Sequence, residues 1–109
     1  MNINKPILER VQEVASKNIL YVPHAVLQMS RPERLIRPED IREVITHGEV
    51  IEDYPTDSRG HSCLILGRAK DGRYIHVVCS PKEEYLTIIT AYIPSRSEWD
   101  TDLKRRNEQ

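Results

Sequence analysis

Apolar positions recur at helical spacing in the first half of this chain and at strand spacing in the second, and the change falls at Gly48. Ile7, Leu8, Val11, Val14 and Ala15 form one stripe, with Asn4 in a capping position and Pro6 in the first turn, so a helix is predicted from about Lys5 to Lys17. The short apolar run Ile19 to Val22 follows. Pro23 then opens a second helix that carries His24 in its first turn and must stop before Pro32. Arg37-Pro38-Glu39-Asp40 has the proline and acids of a helix start, Ile41, Val44 and Ile45 make its apolar face, and His47-Gly48 ends it.

Beyond Gly48 the runs EVIEDY, SCLILGRA, RYIHVV and EYLTIITAYI are rich in β-branched and aromatic residues. Turn-forming stretches separate them, and Asp71-Gly72 marks a tight hairpin between the middle two. Successive strands without intervening helices imply a meander. The expected fold is α+β: N-terminal helices (1–48) packed on a four-stranded, mainly antiparallel sheet (49–94), with a polar tail (95–109) around Trp99 and Leu103. Strand parity puts Ile89, Ala91 and Ile93 on the core side of the last strand. It puts Thr90 and Tyr92 on the other, together with His76 of the preceding strand. Leu86 and Ile88 share parity with Thr90, so that second face is expected to be a half-covered groove.

A length of 109 residues fits one domain. The chain is 39% hydrophobic and 30% charged, the balance of a globular protein with a heavily charged surface. No apolar run reaches the roughly 20 residues that cross a bilayer, and Met1 to Lys5 lacks the order of a secretion signal, so a cytoplasmic location is expected. Cys63 and Cys79 lie in apolar runs and read as reduced core thiols. Net charge is −1 and the pI about 6.4, which excludes a global positive field; contact with nucleic acid must be local. Residues 1–54 carry 7 Lys/Arg against 9 Asp/Glu and residues 55–109 carry 9 against 8, so charge marks no second module.

Phosphate-binding loops, dinucleotide fingerprints, the serine-hydrolase elbow, HExxH and paired CxxC are all absent from the sequence. His61, Cys63, His76 and Cys79 are metal-ligand types, but parity sends His76 and Cys79 to opposite faces, and neither metal nor cofactor is expected. Glu39, Asp40 and Glu43 read as a solvated helix start. What remains is His24, Arg34, His76, Thr90, Tyr92 and Arg96. Cleaving RNA without a metal needs a group to take the 2′-hydroxyl proton, a group to protonate the leaving oxygen, and cations or hydroxyls for the charge on phosphorus. These side chains suit those roles, although each alone also fits a structural reading.

Two stretches carry a resemblance. His24-Ala25-x-x-x-Met29 followed by Arg34-x-Ile36-x-Pro38-x-Asp40-Ile41, and Ile88-Ile89-Thr90-Ala91-Tyr92-x-Pro94 leading to Trp99, with Gly67, Gly72 and His76-Val77-Val78 between them, resemble the bacterial domain-of-unknown-function family 4258 from about Tyr21 to Arg106. The gap from Met29 to Arg34 is longer than the pattern's. That family looks like a distant relative of toxins of the RelE, BrnT and MqsR type. The resemblance implies a metal-independent endoribonuclease, with RNA as substrate and an antitoxin protein of the MqsA-like zinc-finger type as partner. On it, His24, Arg34, Thr90 and Tyr92 are the expected catalytic residues, and His76 and Arg96 the expected substrate contacts. A non-catalytic protein-binding module on the same fold is the alternative.

Overall fold

The computed structural model describes residues 5–95, 98–99 and 102–106. Its elements run α1 (Ile7–Ala15), β1 (Ile19–Tyr21), α2 (Pro23–Met29), α3 (Pro38–His47), β2 (Glu49–Tyr54), β3 (Ser62–Arg68), β4 (Tyr74–Pro81) and β5 (Leu86–Tyr92). Asn4, expected as the first helix's cap, lies outside the described residues. The three helices begin and end close to where the apolar stripes and prolines place them. In α3 the Asp40 carboxylate accepts the Arg37 backbone N–H at 2.9 Å, which occupies a donor that the helix start would leave unpaired.

The sheet has five strands in the order β1-β5-β4-β3-β2, not the four expected. β2, β3, β4 and β5 form the antiparallel meander, while Ile19 to Tyr21 adds a short strand parallel to β5, with Ile19 opposite Leu86 and Tyr21 opposite Ile88. The extra strand was hidden because three residues show no periodicity and their partner lies at the far end of the chain. It also breaks the expected division into a helical half and a sheet half.

Parity along β5 changes at a bulge. Thr90 pairs with Val78 and Ile88 with Cys79, which leaves Ile89 as the extra residue. Ile88 and Leu86 therefore join Ala91 on the helix side, packed with Val77, Cys79 and the apolar faces of the helices. This corrects the expectation that Leu86 and Ile88 share a face with Thr90. Cys63 and Cys79 face each other across β3 and β4 in this core as free thiols.

Helix α3 sits very close to β3. A side chain at Gly67 would place its Cβ 2.9 Å from the Val44 Cα, so glycine sets the spacing of this contact. The opposite sheet face is closed by the tail: Trp99 and Leu103, both nearly fully buried, pack on Leu64 and Leu66 with Ile51, Tyr54 and Val78 alongside. β3 is consequently buried on both faces from Ser62 to Leu66. No helix among the described residues is long and apolar enough to cross a membrane.

Candidate functional site

The tail decides what the helix-free face can offer. His76 is wholly buried there, edge-on to Trp99 at a ring separation of 4.4 Å and to Tyr92 at 5.3 Å. A carbonyl can only accept, so the 2.8 Å contact to the Leu103 oxygen makes Nε2 the protonated nitrogen, and Nδ1 accepts the Tyr92 hydroxyl at 3.3 Å. Burial pushes the His76 pKa down, against the opposing pull of the Leu103 carbonyl and Glu52, so the imidazole is held neutral. Beside it the Arg106 guanidinium stands 4.7 Å over the Trp99 ring and binds Glu52 at 3.1 and 3.2 Å. Burial raises the Tyr54 pKa to about 12, helped by the hydrogen bond that Tyr54 donates to Glu52. This is a closed polar cluster. His76, expected to touch a substrate, has no exposed surface, and the Tyr92 hydroxyl is turned toward it.

His24 has a different setting. The Val22 N–H donates to the Ile88 carbonyl at 3.2 Å, which carries the β1–β5 pairing to the start of α2 and sets His24 at the edge of β5. There the exposed imidazole lines a slot of about 290 Å³. Val22 and Ile89 form its wall and its open surface is almost wholly apolar; Thr87, Arg59 and Lys82 also border it, and so does the buried Ser80, whose hydroxyl donates to the His61 carbonyl at 2.8 Å. Among the described residues the lining contains no carboxylate. The His24 side chain makes no hydrogen bond or ion pair with any described residue. Thr90 and Tyr92 are not part of this lining; Thr87 and the bulged Ile89 stand where they were expected.

Arg34 is elsewhere. Its guanidinium donates to the Gln28 side chain at the end of α2, and it borders a cavity of about 650 Å³ shared by the start of α3 and the β3–β4 turn. Arg73 clamps that region, binding Asp40 at 3.1 Å and Asp71 at 2.8 Å and donating to the Arg34 carbonyl. Arg34 thus borders a different cavity from His24, although its partner Gln28 lies one turn beyond His24 in α2. Arg96 lies outside the described residues.

Sequence reasoning missed Arg59, Lys82 and Thr87. Lys82 follows Pro81 at the end of β4, where a charged turn residue carries no signal. The sequence shows only a glycine at position 60, just ahead of β3; its φ of +102° is visible in the structure alone. Another polar chain passed over links Asp53, His61 and Arg10, with His61 Nε2 at 2.6 Å from Asp53 and the Arg10 guanidinium donating to Nδ1 at 3.1 Å. Both of its ring nitrogens are occupied, so it is less suited than His24 to accept a substrate's proton. The described residues bring no three His, Cys, Asp or Glu side chains into a metal-binding group.

A family model described as "Domain of unknown function (DUF4258)" matches residues 21–93, which runs from the last residue of β1 through β5 and includes His24, Lys82 and Thr87. No curated protein and no solved structure matches the chain.

Proposed function

The chain belongs to the DUF4258 family, and from that premise we propose that it is a metal-independent endoribonuclease of toxin type, with His24 as its acid–base group. The observation that carries the reading is the exposed His24 imidazole, without a side-chain partner among the described residues, at a largely apolar slot that Thr87, Arg59 and Lys82 border and to which no described carboxylate contributes. Imidazole titrates near neutral pH, so either protonation state is at hand without a large shift. His24 takes the proton of the ribose 2′-hydroxyl, and the 2′-oxygen bonds to phosphorus. The bond from phosphorus to the 5′-oxygen breaks, water supplies the proton to that oxygen, and the products are a 2′,3′-cyclic phosphate and a 5′-hydroxyl end. Thr87, on the same strand face as Thr90 but beyond the bulge, is the hydroxyl that orients the substrate in place of Thr90. Tyr92 supports that face through His76. In such a role the chain works in the cytoplasm, where an antitoxin protein, of the MqsA-like zinc-finger type on the resemblance above, covers the slot.

One observation favours a non-catalytic binding module instead: His76 and Tyr92, expected to serve the same site, are held in the cluster under Trp99 and are not part of the slot's lining. The test is cleavage of RNA in EDTA by wild type and by His24→Ala, with circular dichroism to establish that both are folded. Loss of about 100-fold or more in rate is expected for the variant. Equal rates, or no cleavage by either, give the binding module the stronger claim.

A further inference from the structure

We propose that the slot beside His24 is a subsite for one nucleotide, in which Lys82, flanked by Arg59, holds a phosphate and the wall of Val22 and Ile89 receives the face of the adjoining base. The proposal takes its choice of ligand from the RNA reading, but binding of a phosphorylated nucleoside does not require that RNA be cut.

Lys82 is held in place before any ligand arrives. Its backbone N–H donates to the Tyr85 carbonyl at 2.8 Å, which closes the β4–β5 turn, and its ammonium donates to the Arg59 carbonyl. Gly60 makes that second contact feasible, since a Cβ there would fall 2.6 Å from the Lys82 Nζ. Yet the charge on Lys82 is not cancelled. Lys5, Lys17 and Lys104 pair with Glu13, Glu84 and Glu49, whereas Lys82, like Lys70, pairs with no carboxylate among the described residues. An ammonium fixed by a neutral carbonyl keeps its full charge and two more donors for an anion. Arg59 is committed on one side only. Asp57 takes its Nε and Nη2 at 3.1 and 2.9 Å, and the side chain is otherwise open to solvent.

The rest of the slot discriminates. Ile89 reaches this face only because the bulge turns it out of the helix-side core, and with Val22 it provides an apolar surface beside the cations. A bare phosphate would leave that surface wet. A nucleoside without phosphate would leave Lys82 unused. At about 290 Å³ the slot lies at the small end of ligand cavities, which begin at roughly 300 Å³, so it accommodates one nucleotide unit and not a longer stretch.

The experiment is an amide and imidazole NMR titration in EDTA with adenosine 3′-monophosphate, adenosine and inorganic phosphate. The monophosphate is expected to shift Thr87, Ile89 and His24, and to bind at least about tenfold more tightly than either fragment. Lys82→Gln is expected to weaken it by about tenfold or more, the loss of one charge-assisted contact, while Lys82→Arg restores most of the affinity. Unchanged affinity in a folded Lys82→Gln, or inorganic phosphate binding as tightly as the nucleotide, overturns the subsite. RNA cleavage that persists without monophosphate binding overturns the subsite alone, and monophosphate binding without cleavage of RNA overturns only the nuclease reading.

Discussion

Burying an imidazole more deeply than a nearby carboxylate can offset ties its protonation to whether the chain is folded. His76 is the instance here: burial lowers its folded pKa, and in the unfolded chain it titrates near the ordinary value of about 6.5. Between the two values the unfolded chain binds more protons, so stability rises with pH across that interval. The contribution is complete above about pH 6.5 and is lost as pH falls through the folded value. The melting temperature of the wild type is therefore expected to drop from pH 7.5 to pH 5 more steeply than that of His76→Gln, whose amide cannot titrate. Parallel curves would place the pH dependence in other groups. Residue by residue, the sequence exposed His24 because a histidine in the first turn of a proline-started helix forms part of a recognisable pattern. It concealed Lys82, whose fixed position depends on the absence of a side chain at Gly60, 22 positions earlier.

At the level of elements, legibility followed locality. α3 was readable because its start, stripe and stop all lie within a dozen residues, and the β3–β4 hairpin because Gly72, at φ +95°, is the glycine that its turn demands. The bulge in β5 was not readable. Parity assumes an unbroken pleat, and nothing in Leu-Thr-Ile-Ile-Thr-Ala-Tyr announces which residue is extra. Gly67 joins the two kinds of information, being a strand residue whose bareness matters only because a helix lies over it. In Gly67→Ala the new methyl meets Val44 backbone that cannot move aside without shifting α3. The expected loss is about 1–3 kcal/mol, seen as a fall of several degrees in melting temperature. An unchanged or higher value would mean that the helix floats on the sheet and is not seated on it.

On the scale of the whole molecule, helices followed by strands were enough to give α+β, but not to say which sheet face stays open. The two apolar residues of the tail, Trp99 and Leu103, were visible; their destination on Leu64 and Leu66 was not, because it depends on contacts about 35 residues apart in sequence. The hardest feature to foresee was the pairing of the first strand with the last, Ile19 with Leu86, which spans 67 positions (86 − 19). That pairing has a consequence in time. A contact spanning so much chain carries a large loop-closure cost, and three residues offer little to offset it until β5 is already in place on the meander. β1 is expected to dock last during folding and to be the first strand to open again. In native-state hydrogen exchange, the strand-bonded amides of Ile19 to Tyr21 should lose protection well before those of Ile65 and Val77; equal protection would show that the parallel edge forms together with the meander.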